Sequence, residues 1–228
     1  MIKRLLKKVP FVYIWYKKLQ YKRLTKENNL SQDGLLQSAP TTQLNRHPDI
    51  FEDLGARFKD QPIRILSFGC STGEECKSLS TYLPNALIIG VDVNKKSIEK
   101  AKSKFASEKL SFYHIEAKSL HTLGKFDVIT AISVLCRYPE SKLIQNIDSV
   151  FPFSIFEKSV GYLDQVLNSE GYLFIRSSNF RFMETEYNKK YKVISFKGQR
   201  QPEIFPKFNK NNCRLEGFEE REELFQKL

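Results

Sequence analysis

Ile65-Leu66-Ser67-Phe68-Gly69-Cys70-Ser71-Thr72-Gly73-Glu74-Glu75 is a β-rich run that ends at a glycine turn and opens a helix. Gly69 and Gly73 permit backbone geometry and close approach that a side chain would block, so a ligand can lie against the main chain there. Asp92 ends the next apolar run, 23 residues after Gly69. In a sheet that alternates with helices, an acid at that point accepts hydrogen bonds from ribose hydroxyls. A glycine turn alone also fits a tight strand-to-helix junction with no ligand. Glu116 after a third run and Phe126-Asp127-Val128-Ile129 opening a fourth follow in the order a nucleoside site requires.

Outward from that stretch, short apolar runs alternate with helical patterns, the signature of βαβ units and a parallel sheet. Strands are expected at residues 63–68, 86–91, 110–115, 126–132 and 172–175, and helices at 74–83, 95–107 and 154–167. His47-Pro48-Asp49 supplies a turn and an N-cap for a short helix reaching Phe58. The last two strands are expected at Tyr191 to Phe196 and Cys213 to Glu216. The expected fold is α/β: a Rossmann-like, mostly parallel seven-stranded sheet with helices on both faces.

The chain has 228 residues, 41% of them hydrophobic and 18 of them Phe, enough for one core without disulfides or a metal. Cys70, Cys76, Cys136 and Cys213 form no CxxC pair and have no histidine at metal spacing, so no metal site is expected and the thiols read as reduced. The formal charge is +11. Residues 1–24 carry eight Lys or Arg (Lys3, Arg4, Lys7, Lys8, Lys17, Lys18, Lys22, Arg23) and no acid, which leaves +3 for the remainder. This segment reads as neither a signal peptide nor a membrane span, because Lys17 and Lys18 interrupt its apolar run. Leu5, Leu6, Val9, Val12, Tyr13, Tyr16 and Leu19 recur at roughly helical spacing, with Pro10 as a breaker or a start. Two readings stay open: a basic amphipathic helix on an anionic membrane surface, or a helix packed on the domain with its lysines in water. Residues 1–45 are therefore taken as an extension and polar connector, residues 46–228 as the main domain, and the protein as cytoplasmic, with membrane contact at most peripheral.

From about Ile63 to Ile175 the chain resembles class I S-adenosylmethionine-dependent methyltransferases. Its turn, Gly69-Cys70-Ser71-Thr72-Gly73-Glu74-Glu75, is similar to the GCSTGEE of chemotaxis-receptor carboxyl methyltransferases. The resemblance implies S-adenosylmethionine as cofactor, with Phe68, Gly69, Cys70, Ser71 and Gly73 lining its methionine part. It further implies Asp92 at the ribose, Val93 among the cofactor-binding residues, Glu116 and Ala117 beside the adenine, and Ala131 to Leu135 facing the sulfonium and substrate. The chain departs from the chemotaxis branch at Cys76, where that branch has proline, and at Ile132-Ser133-Val134-Leu135, which lacks its Arg-Asn pair. Nor is a separate helical receptor-docking domain legible. These departures leave the cofactor expectation in place and weaken the receptor as substrate.

Methyl transfer from a sulfonium mainly requires alignment of the nucleophile, so a missing catalytic dyad does not count against it. Arg137 and Tyr138, just after the fourth strand, are the candidate substrate contacts, against an ordinary loop arginine and a packing tyrosine. Arg176 to Phe182 follow the fifth strand and either close over the substrate or form a solvated turn. Should a base be needed, Asp127, His114 and His121 are the candidates; none has a distinguishing feature. A GxSxG hydrolase centred on Ser71 lacks a late histidine. A nicotinamide enzyme lacks the third glycine and would set a diphosphate against Glu74 and Glu75. The expected substrate is a small or glycan-like acceptor. Protein carboxyl methylation and a non-catalytic Rossmann-like binding module are the alternatives, and no nucleic-acid-binding appendage is legible.

Overall fold

The computed structural model describes residues 10–31, 34–37, 41–195, 205–217 and 222–228. Helix α1 spans Pro10–Glu27, α2 Pro48–Phe58, α3 Glu74–Tyr82, α4 Lys95–Phe105 and α5 Phe153–Val166. The strands are β1 Arg64–Phe68, β2 Leu87–Asp92, β3 Leu110–His114, β4 Phe126–Ile132, β5 Leu167–Arg176, β6 Tyr191–Val193 and β7 Leu224–Lys227. They form one seven-stranded sheet in the order β3-β2-β1-β4-β5-β7-β6. The first five pair in parallel, while β7 runs antiparallel to both β5 and β6. The expected α/β Rossmann-like sheet is therefore present, with an antiparallel edge.

The central strands are apolar on both faces because both faces are covered. Ile65, Val128, Ile88 and Phe174 pack with Ile50, Leu54, Leu79 and Ile98 of the helices on one side. Leu66, Ile129, Leu173 and Ile175 pack with Phe156, Val160 and Leu163 of α5 on the other. The chain crosses from β1 to β2 and β3 in one direction and to β4 and β5 in the other. That reversal opens a crevice beyond the carboxyl ends of β1 and β4, where ligands of open α/β sheets bind.

One strand was expected in the wrong place. Cys213 and Arg214 make only isolated bridges, to Asn146 and Phe208, and the last strand is Leu224–Lys227. Leu224 packs with Ile50 and Leu54 of α2 on one face of the sheet and Phe225 packs on Phe182 on the other, whereas Cys213 is exposed. Of the amino-terminal segment, residues 1–9 and the side chains of Tyr13, Lys17 and Lys18 lie outside the described residues. Helix α1 rests on the domain: Glu27 pairs with Lys96 at 3.6 Å and the Asn28 side chain accepts from the Lys95 amide at 2.9 Å. Its opposite side leaves Val12, Trp15 and Leu19 exposed.

Candidate functional site

Beyond the ends of β1 and β4 lies a cavity of about 980 Å³, counted out to its mouth. Its floor is the glycine turn. Gly69 has φ +80° and Gly73 φ +90°. A side chain at Gly69 would overlap Val134, so the turn can approach the post-β4 segment only with glycine there. A Cβ at Gly73 would instead meet Ala101 and Phe112 at 3.0 Å, which makes Gly73 a helix-packing position away from the cavity wall. Ser71 also has positive φ, 50°, and its amide donates to Asp92 Oδ2 at 2.9 Å. The Asn94 amide donates to Oδ1 at 2.8 Å. These two bonds fix the carboxylate at the cavity rim. Burial raises the pKa of Asp92, and the two amides oppose that rise without cancelling it.

Phe68, Gly69, Cys70, Ser71, Asp92, Val93 and Ala117 thus meet on one wall, as the sequence led one to expect. Gly73, Glu116, Ala131, Arg137 and Tyr138 do not line it. Ala131 points into the core under the sheet. Glu116 is turned to the amino-terminal connector, where it accepts from the Ser31 hydroxyl and, at 3.3 Å, from the Ser31 amide. Lys118 sits 3.2 Å from its other oxygen. Arg137 is buried, its guanidinium 3.9 Å from the centre of the Tyr21 ring and bonded to the Leu35 carbonyl. It therefore braces α1 and the connector in this structure. Tyr138 packs against Phe205 at 5.0 Å between ring centres.

The base candidates lie elsewhere. Asp127 opens β4 at the amino end of the sheet, where it accepts from the Arg64 amide and the Asn168 side chain, each at 2.8 Å. His114 and His121 are exposed, with ring nitrogens at 3.0 and 3.1 Å from the carbonyls of Val93 and Lys118. Arg176, the last residue of β5, bonds Asp49 and Glu223, and in the segment that follows Asn179 is buried and accepts from the Arg137 amide at 2.6 Å. That segment is scaffolding behind the cavity.

Further residues complete the wall. Glu75 reaches the cavity from the first turn of α3, accepting from Ser67 at 2.8 Å and Thr130 at 2.7 Å. Burial raises its pKa, and the two hydroxyls pull the other way. Leu24 of α1, residues 34–37 and 41–43, Arg46, His47 and Phe51 complete the mouth, with Ile132 at the end of β4 and Ser133 and Val134 just after it. The spacing of the last three did point here. The connector could not be placed from sequence, because its contacts with Glu116 and Arg137 span 85 and 102 residues.

The wall suits an adenosine-type cofactor: a backbone cradle that a Cβ at Gly69 would fill, a fixed carboxylate at the end of β2, and apolar Ile115, Ala117 and Val91 between them. A family model described as methyltransferase domain matches residues 59–215. A chemotaxis protein methyltransferase of Campylobacter jejuni is 28% identical over 160 residues, covering 59% of this chain and 61% of that protein. An uncharacterized protein of Rickettsia prowazekii is 27% identical over 161 residues, 67% of this chain and 59% of its own. The chain thus spans about six-tenths of the length of these relatives. Among solved structures, the plantazolicin methyltransferase BpumL in complex with SAH aligns at 21% identity and TM-score 0.42 over 56% of this chain and 43% of that one. With the family model covering strands β1 to β6, the glycine turn and the segment after β4, the chain belongs to the methyltransferase domain family.

Proposed function

We propose that the chain is an S-adenosylmethionine-dependent methyltransferase acting on a small-molecule or glycan-like acceptor. The observation that carries this is the joining of the Phe68–Ser71 turn and the Asp92 carboxylate on one wall of the strand-end cavity. When bound, the cofactor supplies a methyl group already activated on a sulfonium, so no redox step is asked of the protein. Asp92, with free lone pairs beyond its two amide bonds, accepts from the ribose hydroxyls. Gly69 and Cys70 admit the methionine part against the backbone. Glu75 offers the cationic end of the cofactor a carboxylate held by two hydroxyls, and Ala117 with Ile115 provides an apolar bed for the base. Residues 46–228 form the methyltransferase domain in this reading, and residues 1–45 an extension that completes its cavity.

Calorimetric titration with S-adenosylhomocysteine, in parallel with NADH, tests it. Micromolar binding of the first alone is expected; NADH binding, or neither, refutes the assignment. Carboxyl methylation of a protein is the second reading, favoured by the GCSTGEE turn and the chemotaxis relative. A methyl ester that is base-labile and forms on protein substrates only would select it.

The exposed stripe Val12, Trp15 and Leu19, beside Lys22, Arg23 and Lys26, supports peripheral contact of the first 24 residues with anionic lipid. Among the described residues no helix is long and apolar enough to cross a membrane. Sedimentation with phosphatidylserine vesicles, lost on Trp15→Ser, is the expected result. Equal binding to neutral vesicles would remove the electrostatic part.

A further inference from the structure

The amino-terminal connector is tied to the carboxyl edge of the sheet at one strand end after another. The Asn28 side chain accepts from the Lys95 amide beyond β2, and Ser31 donates to Glu116 beyond β3. Beyond β4, the Leu35 carbonyl accepts from Arg137, and the Gln37 side chain donates to the Cys136 sulfur at 3.2 Å. Leu24, Gly34, Leu35, Leu36 and Gln37 line the same cavity as the glycine turn and Asp92. Leu36 is buried in one cluster with Phe68 and Val91. A ligand there is held between the sheet end and the connector, so the ties of the connector bear on how long it stays.

The tie at Glu116 is made by a carboxylate set between two wall residues. Ile115 and Ala117 line the cavity and Glu116 does not, as side chains alternate along extended backbone. Its Oε2 accepts from both the hydroxyl and the amide of Ser31, and Lys118 stands 3.2 Å from Oε1. The Gly34 amide donates to the Ser31 carbonyl at 3.0 Å, a turn that brings both residues onto the one carboxylate. A Cβ at Gly34 would overlap Oε2 and stand 3.0 Å from Cδ, so a side chain there would push the carboxylate aside. Burial raises the pKa of Glu116, but Ser31 and Lys118 outweigh burial and hold it below the ordinary value, which keeps the group ionised.

We infer that Glu116 is a positioning residue: it latches Ser31 and Gly34 of the connector over the cavity and so sets how long the cofactor stays, without contacting the adenine. The inference rests on the methyltransferase reading above and replaces the expectation that Glu116 touches the base. A carboxylate that read the base would accept from its exocyclic amine inside the cavity. Here Ser31 and Lys118 engage the two oxygens, and Gly34, itself on the cavity wall, lies over Oε2. The base is left to Ile115 and Ala117, which offer it an apolar surface. Bonds to an ionised acceptor are about twice as strong as neutral ones, so this tie weighs heavily in holding the connector.

The test is stopped-flow dissociation of two ligands from the full chain: S-adenosylhomocysteine, and S-inosylhomocysteine, whose base has a carbonyl in place of the exocyclic amine. Glu116→Ala should speed dissociation of the first by about 10-fold or more, and Ser31→Ala by about fivefold. The double variant should match Glu116→Ala within about twofold, because both changes remove one contact. Gly34→Ala, which displaces the carboxylate without replacing it, should act in the same direction. A site that hydrogen-bonds a ligand amine rejects an analogue lacking it, so a base-reading Glu116 would discriminate between the two ligands and its loss would erase that. The latch instead predicts a ratio of the two dissociation rates that is the same in the parent and in Glu116→Ala within about twofold. A ratio that collapses in Glu116→Ala makes Glu116 a base contact and overturns the latch. Parental dissociation from a Glu116→Ala protein that still binds overturns it too, and leaves the cofactor reading standing. Failure of the parent to bind S-adenosylhomocysteine overturns the cofactor reading and this role together, which separates the two failures.

Discussion

Asp92 holds the Ser71 and Asn94 amides while presenting a carboxylate to the cavity, so its replacement acts on the turn and on the ligand together. Asp92→Asn keeps the shape and loses the charge. Hydrogen bonds to a charged group contribute about 1.5–3 kcal/mol, which predicts S-adenosylhomocysteine binding weaker by about 10- to 100-fold, read by calorimetry. His47 and Glu75 give opposite pH signatures. The folded-state pKa of His47 is depressed to about 4 from 6.5, so the unfolded chain binds the extra proton and stability falls as pH drops through that window. The folded-state pKa of Glu75 is raised, so its contribution is present at low pH and is lost as pH climbs above the unfolded value of 4.5. Urea midpoints measured between about pH 4 and 7 should show a shallower acid decline in His47→Gln than in the parent. An unchanged profile would mean that the imidazole is solvated. At this scale the glycine turn and Asp92 were legible because each needs a residue type no neighbour can supply. His47 was not, since a histidine before a helix proline looks like any turn residue until Arg176, 129 positions later, is brought against it.

Helix α1 and its connector are attached to the cavity by a small number of contacts: Tyr21 over Arg137, the Leu35 carbonyl on the same guanidinium, and Ser31 on Glu116. Leu35 and Leu36 are buried by the arrangement, and Leu24 reaches the mouth. A desolvated cation–π pair is worth about 2 kcal/mol, so Tyr21→Ala should speed S-adenosylhomocysteine dissociation by about 10- to 30-fold in stopped-flow, with little change in thermal midpoint. An unaltered off-rate would show that this wall does not hold the ligand. The sequence expectation that Arg137 meets substrate came from its place after β4, which is the right edge of the sheet. Its side chain is bonded to the opposite wall, a choice made by the distance between α1 and that loop in three dimensions. The carboxyl-terminal strand is the parallel case: Leu224 and Phe225 had no alternation long enough to outrank the 213–216 run, yet only they fit the core beside β5.

Across the whole molecule, Arg176 joins parts of the chain that are far apart, with Asp49 at 2.8 Å from α2 and Glu223 at 2.7 Å beside β7. All three side chains are largely buried, so removing the cation strands two carboxylates. Arg176→Met should cost about 3–5 kcal/mol in urea unfolding. A loss below about 1 kcal/mol would mean that water already screens the cluster. The sequence by itself determined the parallel sheet, the strand that ends at Gly69 and the acid at Asp92, because strand periodicity, glycine geometry and the spacing of one βαβ unit are local properties. Only the tertiary structure decided that the amino-terminal segment walls the cavity, that Arg137 is a brace, and that the His47 imidazole is buried beside Arg176. Those outcomes depend on which distant side chains become neighbours, and burial, which sets both their charge states and their unmet hydrogen bonds, exists only once the chain has closed.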